Sequence, residues 1–305
     1  MPMRYPVTAS DIDTAARATI TGLKASNLDC YLVGSVACAA YGMSRTPNDI
    51  DMVVLTSQYT QEQLKYILVR YDSRFYLIDS KDPNATYRVL WFRLTGYHRS
   101  CKVDLLLPGI MNIPSVEPAR IVRVGDIVGA SAGSILDYPL MPFLPLLLLK
   151  LQAWQDHGES LKLFVREKQQ MDVRDIRELL QLAEDQYALP KVEVTGITAT
   201  STGTRKVTVA KVRSARLLGS RTEQSSLLRL EAPHLLESFI QAGRMRVRKF
   251  VRLHPWSEKQ WRLLGFVSEL GTTAASTNSN NAALRSSHGD VQRLGDLLST
   301  LTIRR

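Results

Sequence analysis

Residues 29–55 read DCYLVGSVACAAYGMSRTPNDIDMVVL, and this stretch decides the fold. It opens with residues 29–33 and closes with residues 51–55, two short apolar runs that are typical of buried strands. Between them, Gly34-Ser35 turns the chain into a small-residue helix that we predict over residues 36–41. A strand, a helix and a second strand in direct succession indicate an arrangement in which helices flank a sheet.

The sequence on either side supplies further elements of both kinds. Helical periodicity predicts helices over residues 10–26, where Ser10 is the candidate cap, and over residues 61–71. Runs rich in β-branched and aromatic residues predict strands over 74–79, 87–94, 101–107 and 119–124. From residue 143 the pattern is helical, and further helices are predicted from 143 through 154 and over 171–186, 233–253 and 257–270. The predicted fold class is α/β (α+β), with one mixed β-sheet flanked by helices and a helical C-terminal part.

We divide the chain into three parts. Residues 1–118 form the first domain, residues 119–190 a helical extension that completes its site, and residues 191–305 a basic, partly disordered region with helices near 233–270. Within that region, residues 191–229 are rich in Thr, Ser, Gly and Lys and predict an irregular insertion. Residues 271–289 are of low complexity and predicted to be disordered, before a short helix over 290–301.

The formal charge of +10 is concentrated in the C-terminal part. Residues 1–190 hold 20 basic and 21 acidic side chains, whereas residues 191–305 hold 19 basic and 8 acidic ones. This asymmetry predicts a polyanionic partner such as RNA for the C-terminal region, and a solvated basic surface is the alternative. We predict that the four tryptophans, Trp91, Trp154, Trp256 and Trp261, are packing residues. The alternative for Trp256 and Trp261, which follow a basic helix, is contact with nucleic acid.

The chain carries no signal of export or membrane insertion. Cys30, Cys38 and Cys101 lie among apolar neighbours, which indicates buried free thiols and no disulfide framework. The longest apolar stretch, residues 139–151, is interrupted by Pro142 and Pro145 and is too short to span a bilayer. We therefore predict a soluble cytoplasmic protein with no membrane partner, and leave a nuclear location open.

Three aspartates form the constellation that carries chemistry. Asp49 and Asp51 are two residues apart at the start of a strand, so period-two geometry places both on one face. Asp104 lies in another apolar strand, where an acid is costly unless it is paired or binds a metal. Converging carboxylates repel one another unless a cation lies between them, and oxygen ligands suit Mg²⁺. If the two strands are neighbours, the three acids form a site suited to two-metal phosphoryl transfer.

Gly34-Ser35 is the candidate phosphate cradle. Gly34 lets the backbone approach a ligand closely, and Ser35 offers a hydroxyl at the start of a helix, where phosphate is favoured. Thirteen residues separate Ser35 from Asp49, which is enough for one helix and a turn back into the sheet.

These motifs resemble those of the DNA polymerase beta-like nucleotidyltransferase superfamily, over roughly residues 28–187. The resemblance is closest to its minimal and abortive-infection-toxin-type members. One departure is Pro47, which stands where the family often has Thr, with Thr46 one place early. The matching motifs are Val33-Gly34-Ser35, Asp49-Ile50-Asp51-Met52 and Val103-Asp104-Leu105, with Gly42-Met-Ser-Arg45, Leu149-Lys150 and Lys168…Asp172-Val-Arg-Asp175 as secondary ones.

The resemblance implies a nucleotidyltransferase fold with its catalytic domain over residues 1–118, and a Mg²⁺-dependent transfer of NMP from an NTP to an acceptor hydroxyl of RNA, a metabolite or a protein. Gly34 and Ser35 would hold the β- and γ-phosphates, and Arg45 would be a further phosphate contact. Asp49, Asp51 and Asp104 would bind the metal, with Asp104 as the activator of the acceptor. Lys150 would neutralise the triphosphate, and Asp172 or Asp175 would orient that lysine or the acceptor.

Two other functions account for part of this pattern. A non-catalytic nucleotide-binding or scaffold protein would keep the fold without the chemistry, although buried acids are costly to retain. A glycosyltransferase would use Asp-x-Asp to hold a metal on a nucleotide sugar, which leaves Gly34-Ser35 and Asp104 unexplained. At single positions, Lys150 as a snorkelling helix lysine, Arg45 as a surface arginine, and Asp172 and Asp175 as ordinary ion-paired residues are the alternatives.

Overall fold

A computed structural model describes residues 6–81, 84–127, 138–187 and 227–266. The predictions for residues 191–226, 271–289 and 290–301 lie outside these ranges. The helices are α1 Ala9–Ala25, α2 Gly34–Ala40, α3 Gln61–Tyr71, α4 Phe143–Glu159, α5 Leu163–Arg166, α6 Gln169–Tyr187, α7 Leu227–Glu231, α8 Glu237–Leu253 and α9 Glu258–Leu263. The strands are β1 Asp29–Val33, β2 Asp49–Leu55, β3 Phe75–Asp79, β4 Arg88–Arg93, β5 Ser100–Leu106, β6 Val122–Arg123 and β7 Pro139–Leu140.

These strands form one mixed sheet in the order β3-β4-β5-β2-β1-β7-β6. The β2–β5 and β1–β7 pairs are parallel and the other pairs are antiparallel. Helices pack against this sheet and further helices follow it, so the predicted fold class is confirmed. The parallel β2–β5 pair matters most for function, because it joins the two strands that carry the candidate carboxylates.

Alternation along β2 separates the core from the candidate site. Ile50 and Met52 are fully buried, while Asp49 and Asp51, which alternate with them, are half-buried. Since successive side chains of a strand point to opposite faces, the two acids share the face opposite the apolar pair. Burying a side chain such as Ile50 contributes roughly 1.5–3 kcal/mol, which fixes the register and therefore the face on which the acids lie.

Helix α1 begins at Ala9, one residue before the predicted start, and its cap lies two residues before the predicted one. Thr8, not Ser10, is its cap: the Thr8 hydroxyl accepts a hydrogen bond from the Asp11 backbone, and the Asp11 carboxylate accepts one from the Thr8 backbone. This reciprocal pair satisfies two backbone donors, which a cap at Ser10 would leave open. Helix α3 has the predicted bounds, with Thr60 and Gln63 forming the same kind of capping box.

The C-terminal helices pack on α4 and belong to the core. Trp154 on α4 meets Phe250 on α8 edge to face, with ring centroids 4.9 Å apart. Gly243 brings the two helices together, because a Cβ there would lie 3.0 Å from Leu148. Trp154 and Trp261 are fully buried, as expected of packing residues.

Two predictions near the ends of elements are wrong, and one short strand was missed. Residues 227–229 were assigned to an irregular insertion, but they begin helix α7, because Leu227 and Leu228 find a place in the core. The strand predicted over 119–124 is reduced to β6, since a 3₁₀ turn at Pro118–Arg120 precedes it. The short strand β7 was not foreseen, because it exists only through its pairing with β1 and β6. Among the described residues, no helix is long and apolar enough to cross a membrane.

Candidate active site

The three predicted carboxylates lie on one face of β2 and β5. Asp51 is the register partner of Asp104, and Asp49 is the partner of Lys102. Neighbouring strands are about 4.8 Å apart, so Asp51 and Asp104 face one another across a single strand spacing. The structure therefore brings together the acids that the sequence singled out, and their catalytic role stays a prediction.

Lys102 is a fourth charged group on this face. Its Nζ lies 2.6 Å from Asp104 Oδ2, and both side chains are about one-fifth exposed. Within the ranges that the structure describes, no three His, Cys, Asp or Glu side chains are arranged closely enough to hold a metal ion as they stand. The donor set itself, carboxylate oxygens on adjacent strands, is of the hard type that Mg²⁺ prefers.

The carboxylates of this face disfavour one another's ionised forms. Burial, followed by the negative charges of Asp49 and Asp104, raises the pKa of Asp51 well above its usual value. Burial also raises the pKa of Asp104, against the opposing pull of the Lys102 ammonium. A carboxyl group whose ionised form is disfavoured in this way gains from any cation that binds beside it.

Gly34 lies directly against this cluster. Its φ of +61° is in the left-handed region, and a Cβ at this position would lie 2.0 Å from Asp51 Oδ2. Only glycine fits, because the Asp51 carboxylate already fills the space of a side chain. Ser35 follows in the first turn of α2 and is half-buried, so the Gly-Ser turn and the acids share one place in the fold.

Arg45 and Lys150 converge on Asp175. Arg45 donates from Nε and Nη2 to the two Asp175 oxygens at 3.1 and 2.7 Å, and Lys150 Nζ donates to Oδ2 at 3.0 Å. The Asp175 side chain is only 4% exposed and that of Lys150 only 13%. Lys150 is therefore a largely buried, ion-paired lysine and not a snorkelling one. Asp175 is ion-paired, as the alternative interpretation of this residue from the sequence expected.

The charges around Asp175 have the opposite effect to those around Asp51. Burial alone would raise the pKa of Asp175, but the hydrogen bonds and charges of Arg45 and Lys150 outweigh it and lower the pKa. The pKa of Lys150 is raised although burial opposes its charge, with Cys38 and Asp175 as the favourable neighbours. Asp175 thus positions two cations whose predicted role is phosphate binding.

Asp172 on α6 and Lys168, directly before this helix, complete the motif that the sequence singled out. The Asp172 carboxylate lies 2.6 Å from Nδ1 of His157, so this acid too is paired. Burial lowers the pKa of Lys168, against the attraction of Asp172 and Asp49. The charge of Asp49 therefore links Lys168 electrostatically to the carboxylate face.

Sequence reasoning missed Lys102 and gave Lys168 no role. Lys102 is two residues before Asp104, and the period-two argument used for Asp49 and Asp51 would have put it on the same face. The position of Lys168 depends on how α6 packs, for which the sequence carries no local signal. Both lysines are candidates for contacts with phosphate.

Comparison with known proteins gives limited guidance. No protein-family model and no curated protein matches the chain. Among solved structures, the chain is similar to an antigenic nucleotidyltransferase-like protein from Paracoccidioides brasiliensis, at 15% identity and a TM-score of 0.41, over 58% of this chain and 79% of that one. It is also similar to the antibiotic-resistance factor ANT(2'')-Ia, at 11% identity and a TM-score of 0.34, over 59% of this chain and 95% of that one. Chemistry must therefore be argued from the residues of the site.

Proposed function

We propose that this protein is a Mg²⁺-dependent nucleotidyltransferase that moves an NMP group from an NTP to an acceptor hydroxyl. The observation that carries the proposal is the register of β2 and β5, which sets Asp51 opposite Asp104 with Asp49 on the same face. The Gly34-Ser35 turn lies against the same acids, because a Cβ at Gly34 would lie 2.0 Å from Asp51 Oδ2, so phosphates held at this turn would lie beside the proposed metal ligands.

Asp49, Asp51 and Asp104 would hold Mg²⁺, which fits their oxygen chemistry. Bound there, the ion would offset charge on the triphosphate and lower the pKa of the attacking hydroxyl. Asp104 would accept the proton of that hydroxyl, for which it must be ionised. Burial raises the pKa of Asp104, and Lys102, whose Nζ lies 2.6 Å from Asp104 Oδ2, opposes this rise by favouring the ionised form that a base requires.

Lys150 on α4 and Arg45, in the loop between α2 and β2, would receive the phosphates. One of the three N–H donors of Lys150 points to Asp175, and Arg45 is held by the same carboxylate. Fixing these side chains beforehand lowers the entropy cost of binding a triphosphate. Gly34 and Ser35 would contact the β- and γ-phosphates from the opposite side, through the start of α2.

The test is transfer of label from α-labelled NTPs to total RNA or cell extract in the presence of Mg²⁺. We expect Asp49→Ala and Asp104→Ala to abolish transfer, because each removes a metal ligand, and to leave the fold intact. Asp79→Ala is the matched control, since it removes an exposed acid at the end of β3. If both site variants transfer label as well as the wild type, the proposal is wrong.

The Lys102–Asp104 pair favours a second candidate, a nucleotide-binding protein without catalysis. In that case the Lys102 ammonium permanently takes the place of a metal ion beside Asp104. Thermal stabilisation by Mg²⁺-NTP distinguishes the two when it is measured beside transfer. Stabilisation with no transfer to any fraction would support the second candidate, and Lys102→Gln should then increase the stabilisation given by Mg²⁺ alone.

A further inference from the structure

The face that carries the carboxylates continues across two more strands. Trp91 on β4 is the register partner of Lys102, and Tyr76 on β3 is the partner of Trp91. One row of the sheet therefore reads Asp49, Lys102, Trp91 and Tyr76 from β2 to β3. Because register partners point to the same side, the two aromatic rings adjoin the charged half of the face.

The part of this face formed by β3 and β4 exposes apolar side chains, whereas a face that only contacts solvent is usually polar. Ile78 is 47% exposed, and Tyr76, Val89 and Trp91 are each partly exposed, whereas Phe75, Leu90 and Phe92 on the opposite side are buried. Ile78 and Val89 are also register partners, so the apolar residues form a patch and are not scattered. An exposed cluster of large apolar side chains next to an active site is typical of a ligand surface.

Positive charge accompanies the rings. The exposed Arg93 guanidinium lies 4.7 Å above the centre of the Tyr76 ring, at the outer end of the row. Lys102 lies at the inner end of the row, where its Nζ is 2.6 Å from Asp104 Oδ2. Aromatic rings on which bases can stack, combined with cations for the backbone, are the features by which proteins bind single-stranded nucleic acid.

We propose that this surface, which we call the aromatic face and define as Tyr76, Ile78, Val89, Trp91 and Arg93, seats the last bases of a single-stranded nucleic acid acceptor. The inference rests on the proposed function, whose acceptor it names. With strands about 4.8 Å apart, Trp91 lies one strand and Tyr76 two strands from β5, which carries Asp104. A terminal base stacked on Trp91 brings its sugar hydroxyl to the edge of the carboxylate cluster.

The transfer step balances with groups already described. The terminal hydroxyl oxygen bonds to the α-phosphorus of the NTP, and the bond from that phosphorus to the bridging oxygen breaks. The hydroxyl proton passes to Asp104, and pyrophosphate leaves with the electron pair of the broken bond. The strand is thereby extended by one nucleotide.

The C-terminal helices are a weaker candidate for the same partner. Lys249 is paired with Glu159, Lys259 with Glu184, and Arg262 with Glu258, so much of their charge is already compensated. Helix α8 packs on α4 and α9 packs on α6, whereas the aromatic face joins the carboxylates directly.

The experiment measures binding of a short, labelled single-stranded oligoribonucleotide by fluorescence anisotropy, at a fixed low salt concentration. We expect Trp91→Leu to raise the Kd about 5- to 100-fold, the usual effect of losing one stacking ring, and Trp91→Phe to restore most of the affinity. Trp256→Leu is the matched control, because it removes a partly exposed tryptophan from the basic C-terminal helices, and its Kd should stay within about twofold of the wild type.

Stabilisation by Mg²⁺-NTP is measured on the same variants. If Trp91→Leu keeps this stabilisation, it is folded and its weaker oligonucleotide binding reflects the acceptor surface. Equal Kd values for Trp91→Leu and the wild type, or a loss confined to Trp256→Leu, would overturn the inference and leave the proposed function standing. Absence of Mg²⁺-NTP stabilisation in the wild type, with oligonucleotide still bound through Trp91, would instead remove the proposed function.

Discussion

Two groups of acids in this protein have opposite electrostatic surroundings. Asp175 is nearly inaccessible and is bound by Arg45 and Lys150, which lower its pKa. Asp51 has two other carboxylates as its nearest charged neighbours, which add to the effect of burial and raise its pKa. The first arrangement stabilises the fold, whereas the second reduces stability, which is the usual mark of a site arranged for a ligand.

The largest test of this comparison removes Asp175. Asp175→Ala leaves two cations without their partner in a largely buried place, so we expect a loss of about 3–5 kcal/mol in the free energy of unfolding. Chemical denaturation measures this loss. Asp185→Ala, which removes an exposed acid nearly three turns further along α6, should change stability by no more than about 0.5 kcal/mol.

In the cluster of Asp49, Asp51 and Asp104, we expect removal of one charge to raise stability, and by less than the loss of Asp175 lowers it. Asp51→Asn removes one of the repelling charges without changing shape, so we expect the metal-free protein to gain about 1 kcal/mol in the free energy of unfolding. The same variant should lose the stabilisation given by Mg²⁺-NTP. A metal-free Asp51→Asn protein that is less stable than the wild type would mean that the Asp51 charge is compensated, and the contrast with Asp175 would disappear.

The contrast also shows what the sequence can specify. Along β2 the apolar residues Ile50 and Met52 alternate with the acids, and this alternation was enough to place Asp49 and Asp51 on one face. That Asp104 lies opposite Asp51 could be stated only as a condition, because β2 and β5 are joined by a parallel pairing of residues about 50 positions apart. The local sequence pattern determines on which face of a strand a side chain lies, whereas the identity of the neighbouring strand depends on the whole fold.

The same limit explains what was missed. The Thr8 cap could have been identified, because Asp11 stands three residues later as a capping box requires. The strand β7 and the row from Asp49 to Tyr76 could not, since both depend on register between distant segments. Trp91 was predicted to be a packing residue, and only its partnership with Lys102 places it beside the candidate site.

The smallest expected effect is a difference in pH dependence, and it separates the two groups without any loss of structure. Above pH 4 the unfolded chain has ionised its aspartates, but Asp51 in the folded protein retains its proton to higher pH. The native state then binds more protons than the unfolded state, so the contribution of Asp51 to stability falls as pH rises from about 4 towards its folded pKa. Asp175, with its lowered pKa, contributes fully above pH 4, and that contribution is lost as pH falls through its folded pKa.

Melting temperatures in metal-free buffer from about pH 3 to 8 should therefore show two differences. The advantage of Asp51→Asn over the wild type should grow by a few degrees as pH rises above 4, and the deficit of Asp175→Asn should shrink as pH falls below 4. The two variants are each other's control, because they make the same chemical change in opposite surroundings. Melting curves that shift in parallel with pH in both variants would contradict the assignment of one paired and one repelled acid, and the carboxylate cluster would then lose its electrostatic reason to bind a cation.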